Sequence, residues 1–255
     1  MPIVASVKAA FAVVGPAWRR APLSLAAASG ALALAFLGRR HPQLTPFVPL
    51  FLALALAGAL AAQARLFADG ATSATLGRRM LRLLVVWLLM LTFLFIIGLL
   101  FFVVLLASGY AAASAGAGFV ASDVATWTPA ITGRGRVLLG VVFAVGALSL
   151  GWTHARISLA PPASIAQDRV VMLSGWPLTH KAGLAILAAD LLVGAGPILL
   201  LWLVAAARTA AGPEASGLAN LARGLVIGGL WLPLNIGLST SLYARVVAAA
   251  VNRRR

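Results

Sequence analysis

Residues 83–108 read LLVVWLLMLTFLFIIGLLFFVVLLAS, a run with no charged residue and no proline, and with only Thr92, Ser108 and Gly98 to interrupt its apolar character. At about 1.5 Å of rise per residue, about 20 such residues cross a hydrocarbon layer of about 30 Å as a helix. This run, Leu83–Ser108, is long enough to tilt. Its continuity rules out a transmembrane barrel strand, which would alternate in segments of about ten residues. Lipid-exposed backbone must satisfy its own hydrogen bonds, so a helix is the remaining form.

Five further runs qualify on the same argument: Ala21–Gly38, Thr45–Ala64, Val137–Ala155, Ala182–Ala207 and Gly224–Ala244. The composition agrees. The chain has 255 residues, 62% of them hydrophobic and 10% charged, and a mean hydropathy of +1.02. Soluble domains carry about 45–50% apolar and about 25% charged residues. The expected fold class is therefore all-α: a polytopic membrane protein of about six transmembrane helices in one bundle, with short interfacial helices. As domains, residues 1–20 form an N-terminal amphipathic segment, 21–252 the six-helix transmembrane domain and 253–255 a basic tail. The first run ends in Phe36-Leu37-Gly38-Arg39-Arg40 without a small-residue cleavage site, so it reads as a permanent span and not a signal peptide.

Twenty Lys and Arg against five Asp and Glu give a formal charge of +15. In a soluble chain that balance would point to nucleic acid. Here the basic residues flank the apolar runs, which points to orientation signals and anionic lipid headgroups, and away from nucleic acid. With six spans, fourteen basic residues fall on the side of the termini: Lys8, Arg19, Arg20, Arg65, Arg78, Arg79, Arg82, Arg156, Arg169, Lys181, Arg245 and Arg253–Arg255. Six fall on the other: Arg39, Arg40, Arg134, Arg136, Arg208 and Arg223. The positive-inside rule then places both termini in the cytoplasm.

The segments between spans carry their own signals. Val4, Val7, Phe11, Val14 and Trp18 recur at helical spacing, as in a helix lying at a membrane surface. Asp69-Gly70 reads as a turn, with Thr72 or Ser73 capping a helix that runs through Arg78, Arg79 and Arg82 into the third span. Residues 110–135 are rich in small side chains, and Asp123 can open a short helix there. Pro213-Glu214 suits the start of a helical lead into the last span.

The one long polar connection is His154–Gly183, which holds two of the three histidines and one of the five acids. Pro161-Pro162 is expected to stop the fourth helix, and Ser174 to cap a new one with Pro177 in its first turn. Trp176 then sits at headgroup level. The pattern Arg156-x-Ser158-Leu159-Ala160-x-Pro162-Ala163, followed by Asp168 and by Ser174-x-Trp176-x-Leu178-Thr179, resembles a family of uncharacterised six-helix bacterial inner-membrane proteins. That family is similar to the membrane region attached to some glycerophosphodiester phosphodiesterases. Pro177 departs from the helix-favouring residue usual in such relatives. The resemblance implies a membrane module in the bacterial inner membrane. It carries over no catalytic residue, because the phosphodiesterase chemistry resides in a separate soluble barrel that these residues do not include.

Two groups of residues merit attention as sites. Asp190 lies about 12 Å into the fifth span at about 1.5 Å per residue. An acid at such depth is expensive and faces a partner or a pathway, so Asp190 is either a coupling carboxylate or a group that ties helices together. Asn235, with Ser239, Thr240 and Ser241, places polar groups in the sixth span, more suited to helix–helix hydrogen bonds than to substrate. On the inner face, Arg156, Asp168, Trp176 and Arg245 form a candidate brace, with Arg156 or Arg245 expected to pair with Asp168. Arg65, Arg156 and Arg245 each follow an alanine at the end of a span, where arginine snorkels.

Three scattered histidines (His41, His154, His180) and no cysteine give neither a metal site nor a disulfide. Nucleophile elbows, phosphate loops and dinucleotide fingerprints are missing. No cofactor is expected. The functional expectation is a non-enzymatic inner-membrane protein supporting lipid or envelope processes, a membrane-protein partner or a homo-oligomer. The alternative is a small secondary transporter or channel-like protein coupled through Asp190.

Overall fold

The computed structural model describes residues 3–38, 41–67, 73–172, 176, 179, 182–211 and 216–252. Every regular element among them is helical. In chain order these are α1 (Ile3–Arg20), α2 (Pro22–Gly38), a 3₁₀ turn (Thr45–Phe47), α3 (Val48–Leu66) and α4 (Ser73–Ser114). A second 3₁₀ turn (Val124–Thr126) leads into α5 (Trp127–Ala130), α6 (Gly133–Ile157) and α7 (Ala160–Ala166). Then come α8 (Gly183–Ala211), α9 (Ser216–Gly224), a π-helical segment (Leu225–Trp231) and α10 (Leu232–Asn252).

Five stretches are long and apolar enough to cross a membrane: Thr45–Leu66, Thr75–Ser114, Gly133–Ala166, Gly183–Ala211 and Gly217–Ala249. The expected first span is different. α2 has only 17 residues, and it meets α1 at a bend of 100°, so a sixth span exists only if that bent pair counts as one. Pro22 explains the bend, because it offers no N–H to continue the α1 ladder. The chain still passes through Ala21 with Ala21 N donating to Ala17 O at 2.9 Å.

The chain forms two compact units, one of Met1–Trp87 with Ala155–Arg255 and one of Leu88–His154. The first unit is built on small residues. α2 packs on α3 and on α9 with the π segment. A Cβ added to Gly58 of α3 would lie 2.7 Å from the Ala28 nitrogen, and one on Gly228 would lie 2.7 Å from the Ser29 Cα. Backbones therefore touch with no side chain between them, as in GxxxG-type membrane packing. Gly224 and Gly228 supply that spacing. Gly140, Gly146 and Gly151 of the α6 run could allow the same close approach. In the second unit Gly146 does face the Phe101 ring, whereas Gly140 faces open space.

The core of the first unit joins α1, α8 and α10. Ile186, Ala189 and Val193 of α8 meet Leu234, Leu238 and Leu242 of α10, with Ala10 of α1 among them. The α1 stripe read from the sequence is divided. Its buried face is Ser6, Ala10 and Ala17, while Val4 and Phe11 are exposed. Close packing against Gly237 selects the small side chains.

Pro161 and Pro162 do not stop the fourth helix. α6 already ends at Ile157, and the two prolines open α7 in its first turn, where a missing N–H costs nothing. Asp69, Gly70, Thr72, Pro213, Glu214, Ser174, Pro177, His180 and Arg253–Arg255 lie outside the described residues. The helix through Arg78, Arg79 and Arg82 is the first part of α4, and the lead into the last span is α9.

Candidate functional site

The connection after α6 is held at four points. α7 is almost wholly buried. Ser164 Oγ accepts from Val171 N at 2.8 Å and donates to Val171 O at 3.1 Å, closing the chain between them into a loop. Thr179 Oγ1 lies 3.1 Å from Arg156 O and 3.0 Å from Trp176 O, in position to donate to either. The Arg156 guanidinium carbon lies 4.9 Å from the Trp176 ring centroid, within cation–π range. Arg156 is 4% exposed, so it does not snorkel as expected at a span end.

Asp168 has a different partner from the one expected. Its Oδ1 accepts from Arg82 Nη1 at 2.6 Å, so the acid is tied to the start of α4 and not to Arg156 or Arg245. Chain geometry explains this. Asp168 follows the α7 C-cap with φ 51°, in the left-handed region that aspartate tolerates better than most residues. Leu83, next to Arg82, packs with Leu60, Ala64 and Ile165, which brings α4 beside the end of α7. The Arg82 bond and charge, reinforced by the charges of Arg78 and Arg79, hold the Asp168 carboxyl below its ordinary value. Arg245 is half-buried on α10.

A contact that sequence reasoning missed supports the same junction. Trp87 Nε1 donates to Gln63 Oε1 at 2.8 Å between α4 and α3. Gln63 is the one uncharged polar side chain in α3, which is apolar but for Gln63 and Arg65, and such an amide signals a helix–helix hydrogen bond. Trp18 Nε1 likewise donates to Gly229 O at 2.9 Å, in the π-helical segment.

The two polar candidates in the apolar helices are not alike. Asp190 is half-buried on α8, with Oδ2 fully covered, beside the core residue Ala189. Asn235 is exposed on α10. The neighbouring hydroxyls bond to their own helix, Ser239 Oγ to Asn235 O at 2.7 Å and Thr240 Oγ1 to Ile236 O at 2.7 Å, in place of the expected cross-helix bonds. A hydroxyl four residues beyond a carbonyl reaches it without needing a neighbouring helix.

Three apolar grooves, of about 440, 420 and 270 Å³, are lined by residues other than Asp190. The first two lie in the second unit and the third in the first. Of the histidines, His41 is exposed and His154 half-buried. Among the described residues, no three His, Asp or Glu side chains are grouped to hold a metal ion. No protein-family model, curated protein or solved structure matches the chain.

Proposed function

We infer that this chain is a multi-pass integral membrane protein of the bacterial inner membrane, with both termini cytoplasmic. Its role is non-enzymatic, supporting lipid or envelope processes or a partner complex. One observation carries the membrane reading. In the most apolar window of Thr75–Ser114, 6% of residues are buried within the chain. Phe95 is 69% exposed and Leu100 64% exposed, and a soluble monomer rarely exposes an apolar patch above a few hundred Å². Lipid is the solvent that matches such a surface. The cytoplasmic assignment rests on the fourteen-to-six division of basic residues, and the inner membrane on the resemblance of residues 156–179.

The chain has no cysteine, so single cysteines report topology cleanly. A membrane-impermeant maleimide should label Ala121→Cys in intact cells and Gln167→Cys only after permeabilisation. Release of the protein by alkaline carbonate, or labelling of both sites from one side, overturns the reading. The alternative, a transporter coupled through Asp190, is favoured by the covered Asp190 Oδ2 in an apolar helix. It requires proton or cation flux into vesicles that Asp190→Asn abolishes.

A further inference from the structure

The start of α4 is strongly basic. Residues 65–82 and 167–169 hold five arginines (Arg65, Arg78, Arg79, Arg82 and Arg169) against two acids, Asp69 and Asp168. Asp168 is committed to Arg82, and Arg169 donates to Gln167 Oε1 at 3.1 Å. Arg78 is exposed. Arg79 is half-buried, and its Nη1 is fully covered yet has no hydrogen-bond acceptor among the described residues. A guanidinium donor withdrawn from water without an acceptor is costly, and phosphate oxygens are its best-matched partners.

The platform under these side chains is fixed. Leu83 packs with Leu60, Ala64 and Ile165, and the Trp87–Gln63 bond lies one turn further along α4. The arginines also stand where α4 turns apolar: the uncharged run begins at Leu83, directly after Arg82. A ligand bound there has a cationic fork at one end and lipid-facing helix at the other. Anionic phospholipid has that chemistry, with a phosphate above and acyl chains below.

We propose that Arg78 and Arg79, beside the Arg82–Asp168 pair at the start of α4, form a binding site for the phosphate of an anionic phospholipid. The inference rests on the membrane reading above and adds a specific lipid class and address to it. Asp168 acts as a positioning residue: it holds Arg82 in place and leaves Arg78 and Arg79 for the ligand. Arg79 contributes a fork that a lysine point charge cannot reproduce.

The test uses full-length protein reconstituted in phosphatidylcholine vesicles with and without phosphatidylglycerol. Insertion is scored by flotation and bound lipid by native mass spectrometry of the extracted protein. The expected result is selective retention of phosphatidylglycerol, reduced about tenfold by Arg79→Gln, as loss of a charge-assisted hydrogen bond predicts. Arg79→Lys should fall between the two, and Arg134→Gln, on a different segment, should retain phosphatidylglycerol fully. Raised salt should lower the preference.

Flotation with no phosphatidylglycerol preference, or with a preference that Arg79→Gln and Arg79→Lys leave intact, overturns the site while the membrane reading stands. Displacement of the lipid by soluble glycerol phosphate at equal concentration overturns the lipid assignment in favour of a free phosphate. Failure of the wild-type protein to float overturns both.

Discussion

The two compact units solve the same packing problem in opposite ways. In Met1–Trp87 with Ala155–Arg255, helices approach until backbones touch, at Gly58 against Ala28 and at Gly228 against Ser29. In Leu88–His154 the large side chains turn outward, and Leu91, Phe95, Val103, Phe143 and Leu148 are all more than half exposed. Within the chain, 44% of the Gly217–Ala249 window is buried, against 6% for Thr75–Ser114 and 11% for Gly133–Ala166. Lipid tails are as apolar as leucine, so hydrophobicity alone cannot drive one helix onto another in a bilayer. Close van der Waals fit can, and small residues provide it. Where small residues line a face, helices associate; where leucine and phenylalanine do, they stay exposed.

That contrast can be broken from either side. The largest effects belong to the packed unit. Leu242→Ala, removing a side chain 1% exposed, should cost about 2–5 kcal/mol in an SDS-titration unfolding measurement. Leu100→Ala, at 64% exposure, should stay within about 0.5 kcal/mol. Equal costs at the two positions would mean that the second unit is packed after all.

Glycine substitutions give a similar range. Gly228→Val should destabilise by about 3 kcal/mol, because its Cβ meets Ser29 backbone. Gly140→Ala, which meets nothing within 4 Å, should be neutral or stabilise by about 0.5–1 kcal/mol. The polar tie between α3 and α4 is smaller again: Trp87→Phe should cost about 1 kcal/mol, and pairing it with Gln63→Leu should recover part of that loss.

The smallest effect is at Asp168, which is 71% exposed at its side chain and therefore well screened. Arg82 depresses its carboxyl. Its contribution to stability is thus present above the ordinary carboxylate value and is lost as pH falls through the lower folded value. Asp168→Asn keeps a side chain that accepts the left-handed conformation and should flatten only this acid limb. An unchanged acid limb in the variant would show that the Arg82 bond contributes nothing measurable. A double-mutant cycle with Arg82→Gln should show coupling, and one with Arg156→Gln should not.

Much of the architecture was legible in the chain. The uncharged run at 83–108 and its counterparts at 45–64, 137–155, 182–207 and 224–244 each coincide, to within one residue, with part of a helix long enough to cross a membrane. The helix through Arg78 and Arg82 was legible from a capping residue before it, and the lead before Gly224 from Pro213. The candidate site was legible only as residue types. Arg156, Asp168 and Trp176 fall in one connection of the sequence, but Asp168 binds an arginine 86 positions away that no local spacing indicates. The Gly224–Gly228 spacing and the Gln63 amide are local signals of the packing seen around them.

What the sequence determined by itself is which segments are helical and apolar, because transfer of a segment into hydrocarbon is a sum over its own residues. It did not determine which arginine Asp168 would bind, since several basic residues lie at the ends of these runs. The tertiary structure alone decided the pairings: Arg82 for Asp168, Ser29 for Gly228, Phe101 for Gly146, and a π-helical segment whose Gly229 carbonyl receives Trp18. Contact depends on which face of each helix turns toward its neighbour and how closely the backbones approach. Those quantities belong to the assembled bundle and not to any one stretch of its chain.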